Sequence, residues 1–293
     1  MIFRIFAVMR KIFYLIFCII YFHSVNAQLL INEYSAANYD SYQDNYGEYE
    51  DWVEIYNSTA NPIDINGYFI TDKVSNPTKW QVPASFIIPA NDVGIIFCSG
   101  RDEVSGGFAH TNFKITQTKG NEVFMLSDAS QILLDSISVR PNIESHSRGR
   151  ETNGSSTWSV FDNATPTTAN MGAFERYAYT PVFSIPSGYY TVSAQVIITS
   201  PDPNVTIYYT TNGTRPDNTS TQYTTPITFT QTTVLKAVAY SSNPNILPSF
   251  IEYSTYFVDD THTIPILSIS GEQVDNLLDG NGWIEPHGTV EYF

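Results

Sequence analysis

A period-two alternation of apolar and polar residues in two neighbouring stretches, 51–57 and 61–72, constrains the fold more than any other feature. Successive side chains of a strand point to opposite faces, so Val53 and Ile55 share one face. The other face carries Trp52, Glu54 and Tyr56. A break rich in Ser, Thr, Asn and Pro separates the stretches. The pattern predicts two short antiparallel strands joined by a loop, each with one face toward a core and one toward water.

The same signal recurs along residues 28–172. A strand is predicted at 29–34, and the near-continuous apolar run 93–98 predicts a buried strand. Residues 122–128 and 132–139 predict a hairpin that turns at 129–131. These strands define a first all-β domain over residues 28–172.

From Pro181 onward the composition shifts to Thr, Ser, Tyr, Val and Ile, and charged residues become rare. Asn212-Gly213 is a strong turn signal, and the spacing of the strands is that of a small all-β sandwich. The predicted strands cover 192–199, 205–210, 225–229, 233–240 and 250–258. We therefore expect a linker at 173–180 and a second sandwich at 181–258.

The first domain resembles the lamin-tail family, whose members are immunoglobulin-like sandwiches. The resemblance rests on Asp51–Asn57 (Asp-Trp-Val-Glu-Ile-Tyr-Asn), on the Ile-Asn-Glu of the opening strand, and on a closing pattern that includes Thr165-Pro166 and Asn170. One departure is Thr167, where the family usually has Gly, and this puts the turn after Pro166 in doubt.

The second domain is similar to the chitobiase/hexosaminidase C-terminal β-domain. The matching sequence is Ile207-Tyr-Tyr-Thr-Thr-Asn-Gly-Thr214, followed by Tyr223–Ile227 and Thr233–Tyr240. Asn212 replaces the commoner Asp, and both residues tolerate a left-handed turn position. The resemblance implies an accessory β-module, because the catalytic carboxylates of that family lie on a separate barrel.

Residues 259–293 resemble the beginning of the CotH (spore-coat protein H) family of atypical, kinase-like proteins. Two strands are predicted, at 262–269 and 290–293, with a short helix that begins near Ser270 and ends at Gly280. Trp283, Glu285 and Pro286 fit the family pattern. The segment is interpreted as a truncated domain, and no nucleotide-binding residue is carried over.

The first 27 residues predict export. Basic residues precede the apolar run 12–22, and Val25-Asn26-Ala27 has the small residues of a cleavage site, as in a signal peptide. A retained signal anchor is the alternative. The formal charge of −15 makes nucleic acid and anionic membrane surfaces poor partners, and no membrane insertion is expected after cleavage. Only Cys98 remains after cleavage, so no intrachain disulfide is expected.

No motif for catalysis is present. The sequence lacks Gly-x-Ser-x-Gly, His-Glu-x-x-His and the phosphate-binding glycine loops, and its five His residues are isolated. A Ser-His-Asp triad assembled in space needs no fixed spacing in the sequence, so the missing motifs leave that alternative open. We predict no catalytic and no cofactor-binding residues.

The best site candidate is the loop before Glu54. Asp40, Asp44, Glu48 and Asp51 are the predicted metal ligands, since Ca²⁺ prefers clusters of oxygen ligands. A solvated acidic loop is the alternative. Tyr42, Tyr46 and Tyr49 are the predicted ligand surface, because tyrosines offer flat faces to sugars or proteins; packing onto the sandwich is their alternative role.

The sequence thus predicts an all-β chain: two consecutive immunoglobulin-like sandwiches after a signal peptide, plus a truncated segment with one short helix. The expected role is that of a secreted or cell-surface region, of bacterial type, that binds an extracellular protein or polysaccharide without catalysis. An accessory region of a CotH-like kinase and a carbohydrate-binding module are the alternatives.

Overall fold

The computed structural model describes residues 28–117, 122–271, 274 and 288–293. The predicted signal peptide and most of the predicted helix at 270–280, with Trp283, Glu285 and Pro286, lie outside these residues. Strands dominate the described part, which confirms the all-β prediction.

The first sandwich is built from thirteen strands: β1 (Leu29–Ser35), β2 (Trp52–Asn57), β3 (Ile63–Asp64), β4 (Phe69–Thr71), β5 (Trp80–Gln81), β6 (Ile87–Ile88), β7 (Val93–Phe97), β8 (Glu103–Ser105), β9 (Phe108–His110), β10 (Val123–Ser127), β11 (Leu133–Ser138), β12 (Ser147–Arg150) and β13 (Trp158–Phe161).

Two sheets enclose the first core. A seven-stranded sheet has the order β13-β12-β1-β2-β7-β9-β8, and a four-stranded sheet has the order β11-β10-β4-β5. The core between them includes the fully buried Ile31, Ile55, Trp80 and Phe124. Cys98, at the end of β7, is buried and free, and burial raises the pKa of its thiol well above the ordinary value. The predicted buried strand at 93–98 and the predicted hairpin of β10 with β11 are confirmed.

The predicted hairpin between 51–57 and 61–72 is wrong. Strand β2 pairs with β1 and β7 in the large sheet, whereas β4 pairs with β5 and β10 in the opposite sheet. The chain crosses from one layer to the other between them. Alternation shows that a strand has two faces, but it does not show which sheet the strand joins.

The prediction of a water-facing side for β2 is also wrong. Trp52 and Glu54 are both 0% exposed. Trp52 packs with Ile95 and Phe97 beneath Tyr42 and Ala164, which come from two loops that cover the outer face of the large sheet. Both faces of this sheet are therefore buried near β2.

The second sandwich and the segment that leads into it contain β14 (Arg176–Tyr177), β15 (Val182–Phe183), β16 (Gly188–Tyr190), β17 (Ala194–Val196), β18 (Ile198–Thr199), β19 (Val205–Thr210), β20 (Thr221–Gln222), β21 (Ile227–Phe229), β22 (Thr233–Ser241), β23 (Ile246–Leu247) and β24 (Glu252–Val258).

A five-stranded sheet, β16-β24-β22-β19-β20, forms one layer of the second sandwich. The pairs β17-β21 and β15-β18 lie opposite, so the single strand predicted at 192–199 is split between two pairs. Val196, Leu235 and Tyr256 are among the buried residues of this second core. Gly213 has φ +78, as the predicted turn at Asn212-Gly213 requires.

A C-terminal strand pair consists of the antiparallel strands β25 (Leu267–Ser270) and β26 (Thr289–Tyr292). Its polar side faces the second sandwich: the hydroxyl of Thr255 donates to the carboxylate of Glu291, and Lys236 donates to the carbonyl of Ser270. Its apolar side is exposed and consists of Leu267, Ile269, Val290 and Tyr292. Within the described ranges, no helix has the length and apolar character needed to cross a membrane.

We expect replacement by Ala to cost much more stability at a core isoleucine of the first sandwich than at an exposed one. Replacing the fully buried Ile55 by Ala removes packing that the sheet cannot refill, which costs about 2–5 kcal/mol of unfolding free energy. The same change at Ile132, 62% exposed, is expected to cost less than about 1 kcal/mol. Urea unfolding followed by tryptophan fluorescence measures both, and equal losses would show that Ile55 is not a core residue.

Candidate functional site

The candidate site lies on the outer face of the large sheet, where two segments cover strands β1, β2 and β7. We call residues 38–51 the acidic loop and residues 162–172 the closing segment. Each is held to the sheet by side chains that the strands supply, and the contacts of the two segments differ in kind.

The closing segment is anchored by a buried carboxylate. A β-bulge at Asn32 places Asn32 and Glu33 together opposite Glu54, since the register passes from Ile31↔Ile55 to Glu33↔Glu54. Glu33 accepts hydrogen bonds from the hydroxyl of Ser147 and from the amide and hydroxyl of Thr165, at 2.9 and 2.6 Å. All of its partners are donors, as a carboxylate needs.

Glu54 and Asn32 hold the next part of the segment. Glu54 accepts from the side-chain amide of Asn32 at 2.9 Å and from the amide of Thr167 at 2.8 Å. Asn32 also donates to Asn170, whose side chain donates to the carbonyl of Arg150. Thr167, at the position where the lamin-tail family usually has Gly, has φ +64, which is a strained conformation for a β-branched residue. The turn tolerates Thr here because the hydrogen bond to Glu54 fixes it.

The bulge would leave backbone groups unpaired, and two charged side chains satisfy them. Asp135 accepts from the amide of Ile31 at 2.9 Å, and Arg150 donates to the carbonyl of Ile31 at 2.8 Å. Asp135 and Arg150 also form an ion pair with each other at 2.8 Å. The bulge is therefore fully supported within the first sandwich.

Burial sets the protonation of the two glutamates. Desolvation raises the pKa of Glu54 to about 8, and the neighbouring charge of Glu33 adds to this. Desolvation also raises the pKa of Glu33, against the hydrogen bonds from Ser147 and Thr165. Glu54 thus keeps a proton at neutral pH, which removes the repulsion between two opposed carboxylates.

The acidic loop folds around the side chain of Asn38. The side-chain nitrogen of Asn38 donates to the carbonyls of Tyr42 and Glu50. The side-chain oxygen of Asn38 accepts from the backbone amide of Tyr42 and from the backbone amide and the hydroxyl of Ser41. A short turn at the tip is closed by Asp44, whose Oδ1 accepts from the amides of Tyr46 and Glu48. The loop is thus ordered by its own polar groups.

The second oxygen of Asp44, Oδ2, is buried and accepts no hydrogen bond, and it lies 3.8 Å from Nε of Arg101. Arg101 also pairs with Glu48 and lies over the ring of Tyr46, 4.3 Å from its centroid. One guanidinium therefore neutralises two of the four predicted calcium ligands.

The other two predicted ligands lie elsewhere in the loop. Asp40 is exposed, and its amide donates to Ser145. Asp51 accepts from the amide of Asn38, and burial raises its pKa to about 6. Among the residues that the structure describes, no three acidic, His or Cys side chains are grouped so as to hold a metal ion. A calcium site at these four residues stays a prediction, and it would require Arg101 to move.

The predicted tyrosine surface is reduced by packing. Tyr42 is half-buried and stacks on Phe97, with ring planes only 2° apart. One face of Tyr46 is covered by Arg101, while its hydroxyl donates to Glu103 at 2.5 Å. Tyr49 is exposed. The loop does not present three free ring faces.

Sequence reasoning missed His110 and Arg101, which come from the far end of the large sheet. His110 is fully buried: Nε2 contacts Oδ1 of Asn45 at 2.7 Å, and Nδ1 contacts Oγ of Ser99 at 3.0 Å. Desolvation lowers the pKa of this imidazole. The Ser99–His110 contact lies beneath the loop rather than in an open cleft. No sequence signal linked these residues, because Asn45 and His110 are 65 positions apart.

Two family models match the chain. The Lamin Tail Domain model matches residues 23–141, and the Chitobiase/beta-hexosaminidase C-terminal domain model matches residues 185–246. Two of the three predicted resemblances are therefore found, in the predicted order, and the resemblance of residues 259–293 to the CotH family stays a prediction. They associate the chain with structural or carbohydrate-associated modules of immunoglobulin-like fold. A search of curated proteins found no match.

The raised pKa of Glu54 predicts a pH-dependent stability. The unfolded carboxyl ionises from pH about 4.5, whereas the folded one keeps its proton until about 8. Stability is thus expected to fall as pH rises between these values, on the order of 5 kcal/mol from this group, and to level off above them.

Glu54→Gln is expected to flatten this fall, because the amide cannot ionise; chemical unfolding at pH 5 and pH 8 measures it. Glu151→Gln, at an exposed position, is the matched control and should leave the profile unchanged. An unchanged profile in Glu54→Gln would show that another group carries the dependence.

Proposed function

We propose that the chain is an exported, non-catalytic structural region whose two sandwiches hold binding surfaces at a fixed separation. The observation that carries this proposal is the segment that joins the sandwiches, since residues 173–180 are bonded to both of them. We call the contacts of residues 174–178 with the two sandwiches the seam.

Backbone hydrogen bonds run along the seam. Phe174 exchanges both of its backbone bonds with Val160 of the first sandwich, at 2.8 and 3.0 Å. Arg176 and Tyr177 then pair in parallel with Ile246 and Leu247 of the second. A segment that is paired on both sides has little freedom to act as a hinge.

Tyr177 contributes side-chain contacts from both sandwiches to the seam. Its ring stacks on His146 at 5.8 Å, lies under the guanidinium of Arg148 at 5.2 Å, and meets Phe250 edge-on at 5.1 Å. Burial raises the pKa of its hydroxyl to about 12. Val160 and Leu247 complete the apolar cluster around it.

A salt bridge fixes the exit of the seam. Arg176 binds Asp202 with both terminal nitrogens, at 3.1 and 2.8 Å, and the amide of Tyr179 donates to the same carboxylate at 2.7 Å. Paired hydrogen bonds of this kind constrain direction as well as distance. The orientation of the second sandwich is thereby tied to the segment that enters it.

The C-terminal strand pair favours a second candidate, an accessory region of a CotH-like kinase. The strand pair turns its polar side to the sandwich and leaves Leu267, Ile269, Val290 and Tyr292 exposed. An amphipathic pair of strands in this orientation fits the edge of a further unit. Phosphate transfer from labelled ATP by a longer product of the same gene, in which a kinase-like domain follows this chain, would favour this alternative over the non-catalytic role.

Fixed separation is testable by pulsed electron spin resonance between labels at Ser130→Cys and Thr228→Cys, both exposed positions. We expect one narrow distance distribution. Tyr177→Ala should broaden it, because the ring contacts both sandwiches, whereas Tyr49→Ala, at an exposed position of the acidic loop, should not. A broad distribution in the unmodified protein would contradict a structural role based on fixed spacing.

A further inference from the structure

A cavity of about 380 Å³ lies between the two sandwiches. The first sandwich contributes Gln117, Ile143 and Glu144 to its walls, and the second contributes Arg215, Lys236 and Phe250. Gly271, Gly288 and Thr289, at the C-terminal strands β25 and β26, complete the lining. This volume falls within the range of small-molecule sites, which form preferentially where domains meet. The cavity exists because the seam holds the two walls together.

One part of the wall is apolar and fixed in place. Ile143, Phe250 and Ile251 form it. Phe250 is held by its edge-on contact with Tyr177, and the amide of Ile143 donates to the hydroxyl of the same tyrosine at 3.4 Å. The residue that joins the sandwiches therefore also positions this surface, including an aromatic ring.

The opposing polar groups come from different sandwiches. Nη1 of Arg215 lies 3.8 Å from Oε2 of Glu144. This distance is shorter than that between solvent-separated charges but longer than that of a hydrogen bond. A ligand group placed there can accept from the guanidinium and donate to the carboxylate. The carboxamide of Gln117 and the exposed Tyr253 add further polar groups to the lining.

Other polar residues of the lining support the walls. Asn142 donates to the carbonyls of Ile143 and His146, and Ser249 donates to the carbonyl of Phe250. The oxygen of Gln117 accepts from the amide of Asn142 at 2.8 Å. These bonds keep the wall rigid, which lowers the ordering cost of binding.

We propose that this cavity binds a small neutral saccharide. A sugar hydroxyl both donates and accepts, so it matches a guanidinium facing a carboxylate, and the apolar face of a sugar ring matches an aromatic surface. A carboxylated sugar would meet Glu144, and a cationic one would meet Arg215 and Lys236, whose ammonium group also donates to the carbonyl of Ser270. The inference rests on the proposed function, because both walls are needed and only the seam keeps them together.

Calorimetric titration of the protein with glucose, N-acetylglucosamine and cellobiose tests the proposal, with glucuronate as the charged counterpart. At least one neutral sugar is expected to bind with a dissociation constant below about 10 mM. Arg215→Gln should weaken that binding roughly tenfold, since it removes a charged donor. Arg140→Gln makes the same change of charge at an exposed position outside the cavity and should have no effect.

Tyr253→Ala, at an exposed position of the lining, is a second test of the location and should weaken binding as well. Absence of binding by all three neutral sugars would overturn the proposal, as would tighter binding of glucuronate. Binding that Arg215→Gln leaves unchanged but Tyr49→Ala abolishes would place the site on the acidic loop and would equally overturn it. The spin-label measurement distinguishes a failure of the saccharide proposal from a failure of the proposed function, because only a flexible seam would broaden the distance distribution in the unmodified protein.

Discussion

The architecture depends on a pair of buried glutamates on adjacent strands. Glu33 and Glu54 face each other across β1 and β2 because a bulge at Asn32 shifts the register by one residue. Two opposed carboxylates in an apolar interior would repel each other, and the raised pKa of Glu54 indicates how the conflict is resolved. Because Glu54 keeps its proton, the two side chains can lie close together, and they accept hydrogen bonds from the closing segment and hold it on the sheet.

The position of the closing segment determines where the chain enters the second sandwich. Thr165 and Thr167 are fixed by the glutamates, Asn170 is bound through Asn32, and Phe174 then pairs with Val160. The point and the direction of entry are thus both defined. Tyr177 is placed between His146, Arg148 and Phe250, so one run of bonded residues connects the glutamates with the interdomain cavity. The acidic loop covers the same sheet by different means, through Asn38 and Arg101.

Sequence patterns predicted the strands better than their partners. The alternation in 51–57 correctly gave a strand, and the run 93–98 correctly gave a buried one, because burial and period are local properties. The hairpin with 61–72 was wrong because β2 and β4 pair within different sheets. The exposed face of Trp52 and Glu54 was wrong because Ala164 and Thr167, more than a hundred residues away in sequence, contact these side chains. Of the candidate site, the sequence singled out the acidic loop but not Arg101 and His110, which contact it, because these two residues carry no motif. The seam was read as a plain linker because its pairing partners lie in other segments.

Amide hydrogen exchange tests the central claim directly, namely that the glutamates fix the closing segment and through it the seam. We predict slow exchange for the amides of Thr165, Thr167, Phe174 and Ala178, all of which donate hydrogen bonds. In Glu33→Ala, which leaves the donors of Thr165 without their acceptor, exchange should accelerate in the closing segment and in the seam together. Protection of the seam that persists while Thr165 and Thr167 exchange freely would contradict the account.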